Sequence, residues 1–301
     1  MADGGSLINL GDLSKPATML IEKVCNAVGI IYEPTRIKRQ ARAEAEAEKI
    51  KALAQIDLRD VERRALERLV HQEARKQENI ESITAQAASA LPHDAKVESL
   101  DEDWVAHYFE LCDTVSDREM QSLWARLLSG EASNPGTFSK RTVDFVSTID
   151  KRDAAVFTAF CQFVWVIGDA TPLIYEIEND IYKKQGVTFA SLKHLDAIGL
   201  ISFESISGYV TKGFRKYANV FYFGKPMTVE FPSDTANQLD VGHALFTSIG
   251  SELISICGSV GNQQFYEYVL RQWLEKGLIV TSVIPQLVQE LGSDSNLRQL
   301  R

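Results

Sequence analysis

Proline and glycine are absent between Thr35 and Ala90. Without a breaker, a segment dominated by alanine, glutamate, lysine, arginine and leucine has no local reason to stop being helical. A run of about 18 apolar residues is also missing, which excludes a conventional membrane-spanning helix. Basic residues are outnumbered: 32 Lys and Arg face 41 Asp and Glu, for a formal charge of -9. That balance argues against general affinity for nucleic acid and leaves room only for a local basic surface. Cysteine is scarce. Cys25, Cys112, Cys161 and Cys257 lie far apart without metal-type spacing, so they read as reduced and mostly structural, as in cytoplasm. The opening MADGGSLINL has neither the basic start nor the apolar core of a signal peptide. The chain is therefore expected to be cytoplasmic.

Signatures of chemistry are missing too. There is no G-x-x-x-x-G-K-[ST], no G-x-G-x-x-G and no G-x-S-x-G. GSVGN (258–262) has no basic residue and reads as a loop. His71, His93, His107, His194 and His243 are isolated from one another and from cysteine, so none forms a metal-ligand pair. The acidic group Asp101, Glu102 and Asp103 opens a helical pattern, where carboxylates complement the helix dipole. No catalytic residue, cofactor site or metal site is assigned.

What the sequence does contain is helical periodicity. In LSKPATMLIEKVCNAVGIIYEP, Ser14 is placed to cap a helix, Pro16 fits its first turn and Pro34 is expected to end it. Leu13, Ala17, Leu20, Ile21, Val24, Val28 and Ile31 recur at three and four, making one wide apolar face. Such a face packs on protein or, as an alternative, on a membrane surface through residues 13–31. Thr35 to Ala90 predicts a helix of about 55 residues, roughly 80 Å long. Its thin stripe follows an eleven-residue period: Ala47, Leu58, Leu69 and Ile80 in one row, Ile50, Val61 and Ile83 in a second, Ala54, Ala65 and Ala87 in a third. A stripe this narrow does not stabilise a long helix alone. Packing between copies is expected, through Ala47, Ile50, Ala54, Leu58, Val61, Ala65 and Leu69.

Pro92 ends that helix and LPHDAKVESLDED reads as a linker. A helical region follows. Trp104, Tyr108, Leu111, Cys112 and Val115 share one face. Ser116 and Glu119 are placed as a capping box, with Gly130 closing a helix that carries Met120, Leu123, Trp124, Leu127 and Leu128. ASNPGTFS reads as a turn. KRTVDFVSTI and DKRDAAVFTAFCQFVWVIG predict two more helices, the second capped by Asp150. After about residue 170 the pattern changes. VTFASLKHLDAIG predicts a helix stopped at Gly199, then a strand to about Glu204. NVFYFG and MTVEF predict a hairpin about Gly224, Lys225 and Pro226. Helices are predicted at HALFTSIGSELISIC and QFYEYVLRQWLEKGL. Helix, ribbon, helix is a winged-helix-like order. The expected fold is mostly α, with an amphipathic segment (1–34), a long helix (35–91), a helical bundle domain (92–170) and a winged-helix-like α+β part (171–301).

Several of these stretches together resemble a known family. LSKPATMLIEKVCNAVGIIYEPTRIKRQARAEAEAEKI is similar to the opening of an uncharacterised bacterial and prophage family, a domain of unknown function. It also resembles the start of the Abi-alpha family, linked by name to abortive infection. DEDWVAHYFELCDTVSDREMQSLWARLLSGEASNPGTFSKRTVDFVSTIDKRDA and SLKHLDAIGLI fit the uncharacterised family as well. The resemblance implies a bacterial or phage cytoplasmic protein with a role in phage defence or exclusion, and brings no catalytic residue.

Two basic clusters are candidate contacts. On the winged-helix reading, Lys193 and His194 face a nucleic acid, and Lys212, Arg215 and Lys216, interleaved with Phe214 and Tyr217, offer phosphate or stacking contacts. Arg36, Lys38, Arg39 and Arg42 sit where the amphipathic segment meets the long helix. The expected function is that of a non-enzymatic homo-oligomer, a phage-defence sensor or scaffold with a phage or host protein partner. The alternatives are a DNA-binding regulator or a nuclease with a dispersed site. Contact with the inner membrane is a variant of the first reading.

Overall fold

The computed structural model describes residues 13–29 and 60–282. The chain divides into two compact units between Ile149 and Asp150. The helix beginning at Lys151, grouped by sequence with the helical region before it, thus belongs to the second unit.

In the first unit, α1 (Lys15–Val28) starts as its sequence predicts. The Ser14 hydroxyl accepts from the Ala17 N–H, and Pro16 lies in the first turn. Its end differs from the expectation. Gly29, at φ +69, closes the helix by donating to the Cys25 carbonyl at 2.9 Å, so Pro34 is not what terminates it. Ala17, Leu20, Ile21 and Val24 are buried against α2 (Asp60–Ala90) and α3 (Glu102–Cys112). Protein therefore covers these four residues of the face that the sequence also offered to a membrane. Lys23 ties the helix down, donating to the Leu100 carbonyl at 2.8 Å.

The long helix α2 is described from Asp60 onward and behaves as two halves. Ile80, Ile83, Ala87 and Ala88 are buried, packed chiefly on α4 (Arg118–Ser133). The last turns of the predicted stripe are thus satisfied within the chain. A buried polar group fixes their register. Asn79 Nδ2 donates to the Asp113 carbonyl at 2.8 Å, while Gln121 Nε2 donates to Asn79 Oδ1 at 3.1 Å and to the Val115 carbonyl at 2.8 Å. Gln121 Oε1 accepts from Ser82 Oγ at 2.8 Å. Buried amides are tolerated where both ends are bonded, as here.

After α2 the predicted linker is partly core. Val97, in a short 3₁₀ turn (Val97–Ser99), and Leu100 are both buried. Asp101 caps α3 by accepting from the Asp103 and Trp104 amides, which is the dipole-complementing role expected of the acidic group. For α4 the sequence placed the cap one residue early. Asp117 Oδ1 accepts from the Glu119 and Met120 amides, whereas Ser116 Oγ accepts from Asn79. Gly130 does not end α4 either. The helix runs on to Ser133, and glycine is needed at 130 because a Cβ would lie 2.8 Å from Phe138 Cε2. Trp104, Tyr108 and Trp124 pack ring to ring, with the Tyr108 hydroxyl donating to the Trp124 carbonyl at 2.6 Å. The unit closes with α5 (Lys140–Thr148), capped by Ser139.

The second unit opens with α6 (Lys151–Cys161), capped by Asp150 as expected. Two predicted helical stretches are strands instead. Phe163 to Ile167 leaves α6 and forms β1 (Val164–Ile167), paired with β2 (Asp169–Pro172). Its β-branched and aromatic residues suit a pleated surface, and strands distant in sequence supply the partners. After β2 come α7 (Asp180–Lys183), α8 (Phe189–Ala197), β3 (Ile201–Phe203) and β4 (Tyr209–Phe214). Gly199, at φ +84, stops α8 as its sequence predicts. Next are β5 (Tyr217–Tyr222), β6 (Lys225–Glu230), β7 (Asn237–Gly242) and β8 (Ala244–Phe246), then α9 (Ser248–Leu253), α10 (Gln263–Glu275) and β9 (Ile279–Ser282). The residues from His243 to Phe246, read as helix from sequence, are drawn into pairing with β3; α9 starts only at its Thr247 cap.

Among the described residues every pair of strands is antiparallel, and a lone parallel bridge joins Ile174 to Gly242. A five-stranded sheet runs β2-β1-β5-β6-β9, and β3-β8 and β4-β7 make two ribbons. The β5–β6 hairpin exists, but Lys225 and Pro226 belong to β6. Its turn is Phe223–Gly224, both at positive φ (44° and 79°), the type I′ geometry that matches strand twist. Behind the sheet lies an aromatic core of Trp165, Tyr222, Phe265 and Trp273.

Tyrosines in this core make the unit sensitive to alkali. Burial pushes the Tyr222 hydroxyl up to about 12, partly offset by the Asn262 amide. Burial, then Glu176, raises Tyr268 to about 12. Unfolded tyrosine titrates near about 10. The native state therefore retains protons that the unfolded chain releases. The stabilisation is whole below about pH 10 and is lost as pH rises through about 12. The second unit should unfold cooperatively across that window, visible as a sharp rise of tyrosinate absorbance coincident with loss of circular dichroism. Independent, gradual tyrosine titration with the dichroism unchanged would contradict this.

Candidate functional site

The surfaces singled out by sequence can now be placed. The first is the exposed half of α2. Val61 is 67% and Leu69 51% exposed, and Ala65 between them is exposed too. At spacings of four they share one face of the helix. Around them Arg63 bridges Asp60 and Glu67, and Arg64 also reaches Asp60. These pairs are solvated and contribute little to stability. Ala47, Ile50, Ala54 and Leu58, the other predicted assembly positions, lie outside the described residues, as do Arg36, Lys38, Arg39 and Arg42.

The second surface was read as nucleic-acid-facing. Lys193 and His194 are exposed on α8, but both have acidic partners within the unit. His194 Nε2 lies 2.6 Å from Asp153 Oδ1 on α6, and Lys193 Nζ lies 3.4 Å from Asp196 Oδ2. Lys212 and Phe214 are in strand β4, not in a loop, and Tyr217 opens β5. Phe214 stacks on Phe231 with ring centroids 5.2 Å apart, which engages one face of its ring. Lys216 is tied to Asp234 through its backbone N–H at 3.0 Å and its ammonium at 3.8 Å. Lys212 and Arg215 are exposed.

Sequence reasoning passed over the outer face of the five-stranded sheet. Val166 is 41% and Phe221 42% exposed, and the two sit directly opposite each other on β1 and β5. Phe221 is in turn opposite Pro226 on β6. The signal was present in the alternation of YANVFY, whose Val220 and Tyr222 turn inward while Tyr217, Asn219 and Phe221 turn outward. Among the described residues no group of three or more His, Cys, Asp or Glu side chains is placed to hold a metal ion. His107 contacts Asp144 at 2.7 Å, and His243 Nδ1 donates to the Glu204 carbonyl at 2.7 Å. Among the described residues no helix is long and apolar enough to cross a membrane.

Fold and surfaces define a mostly α-helical protein of two compact units, the second organised on small antiparallel sheets. The chain belongs to the family described as a protein of unknown function (DUF2806), whose model matches residues 63–270. The match begins beyond the opening segment on which the resemblance to the Abi-alpha family rests. Neither the curated proteins nor the solved structures include a match.

Proposed function

We propose that this protein is a non-enzymatic self-assembling scaffold, in which the exposed half of α2 joins copies and the second unit recognises a partner. The observation that carries the reading is the split behaviour of one helix. Its stripe is covered inside the chain from Asn79 to Ala88, yet left open at Val61, Ala65 and Leu69. A helix apolar on one side is stabilised chiefly by packing that side away. A second copy presents the same line and so offers a matching surface.

The order of elements in the second unit supports a winged-helix-like core: α6, α7 and α8, followed by the β3–β8 pair, with β4 to β7 inserted between its strands. The acidic partners of Lys193 and His194, with the net charge of -9, favour a protein partner for this module over nucleic acid. Sensing or excluding phage is the role that the resemblance of the opening segment suggests.

The test is the oligomeric state of the full chain by sedimentation and light scattering. Wild type should self-associate at micromolar concentration. The double substitution Val61→Glu and Leu69→Glu should weaken association about 100-fold, since withdrawing two such side chains costs about 3 kcal/mol. Its circular dichroism should be unchanged, because both positions are exposed in the single chain. A monomeric wild type, or a double variant that associates as well as wild type, would overturn the reading.

A further inference from the structure

Two cysteines distant in sequence meet in the second unit. Cys161 is the last residue of α6, and Cys257 lies in the turn after α9. Thr158, one turn earlier on α6, donates its hydroxyl to the Cys257 carbonyl at 3.1 Å. That bond holds the backbone of Cys257 against the side of the helix that carries Cys161. The Cys257 side chain adjoins Cys161 closely enough to raise the Cys161 thiol, and its own Sγ donates to the Ile254 carbonyl at 3.2 Å. They differ in access: Cys161 is buried at 1% exposure, and Cys257 is half-buried. Cys25 and Cys112 lie in the first unit.

We propose that Cys161 and Cys257 form an oxidisable pair that closes into an intrachain disulfide on exposure to a peroxide. Cys257, the accessible thiol, meets the oxidant first. Its sulfur attacks the peroxide, the O–O bond breaks, and a sulfenic acid and one water are formed. The Cys161 sulfur then attacks the Cys257 sulfur. The S–O bond breaks, and hydroxide leaves with the Cys161 proton as a second water. Two electrons pass from the sulfur pair to the peroxide. A disulfide requires the sulfurs to close by on the order of 2 Å from thiol contact, and the turn carrying Cys257 continues into Gly258 at φ +73. Burial, followed by the adjoining Cys257 thiol, holds the Cys161 thiol well above its ordinary range. Burial also shields Cys161 from the oxidant, so it acts only as the resolving thiol, its proton passing to the departing hydroxide as it attacks the oxidised Cys257. The product staples α6 to the segment leading into α10.

The experiment treats the full chain with a small excess of hydrogen peroxide, then maps peptides without reduction. The expected product is one cross-linked peptide pair joining Cys161 to Cys257, lighter by two hydrogens and restored by dithiothreitol. Two of the four thiols should be lost to a thiol reagent. In Cys161→Ser, Cys257 should accumulate as a sulfenic acid trapped by dimedone, at least tenfold above wild type. The wild-type map alone decides the matter should that variant fold poorly. Cys257 oxidised without a cross-link, a cross-link between chains, or a pair involving Cys25 or Cys112 would each overturn the assignment.

Discussion

Gly242→Ala is expected to unfold the second unit while leaving the first folded. Gly242 ends β7 at φ +83, a conformation that costs an alanine roughly 1–2 kcal/mol. The larger cost is steric. An added Cβ would fall on the carbonyl of Ile174, with which Gly242 forms a bridge and to which the His243 N–H donates at 2.8 Å. Backbone on both sides leaves no side chain free to move away. We expect a loss of at least about 3 kcal/mol, near the upper end for single substitutions. Amide exchange read by mass spectrometry should show protection lost across residues 150–282 and kept in 60–149. Protection unchanged throughout would mean that the two segments do not approach as described.

The first unit has a comparable dependence on Glu131. This carboxyl is buried at 3% exposure on α4. It accepts the Gly136 N–H at 2.6 Å on one oxygen and the Phe138 N–H at 2.8 Å on the other. Phe138 is held at two further points, its carbonyl accepting from Trp104 Nε1 at 2.8 Å and its ring lying over Gly130. Glu131→Ala would leave both backbone donors without their acceptor, at roughly 1–3 kcal/mol each, or about 3 kcal/mol together. Glu131→Gln keeps one acceptor oxygen but turns an amide donor toward the other N–H, so it should lose about half as much. Urea midpoints of the three proteins should fall in the order wild type, Gln, Ala. A Glu131→Ala midpoint equal to wild type would show that the turn from Asn134 to Phe138 does not depend on this carboxyl.

Which parts of this fold were legible beforehand follows from how far each determinant reaches. The caps at Ser14 and Asp150, the stop at Gly199 and the β5–β6 hairpin all rest on contacts within about four residues, so composition and spacing reveal them. The alternation of YANVFY and the three-four periodicity of α1 are equally local. Of the candidate contacts, sequence placed Val61, Ala65 and Leu69 in adjoining rows of one stripe on a helix. It did not reveal that Lys193, His194 and Lys216 already have acidic partners.

By itself, then, the sequence determined the helical character of the first unit, most helix starts and the change to strands in the second, because caps and periodicity act between near neighbours. Tertiary structure alone decided that Val164–Ile167 and Ala244–Phe246 are extended, since each needs a strand from elsewhere in the chain. It decided that Gly130 serves packing, not helix termination, and that Gly242 serves the close approach of two backbone segments. It also decided which end of the α2 stripe is covered and that Cys161 meets Cys257. A residue's type records what it prefers to touch; only the folded chain supplies the particular neighbour.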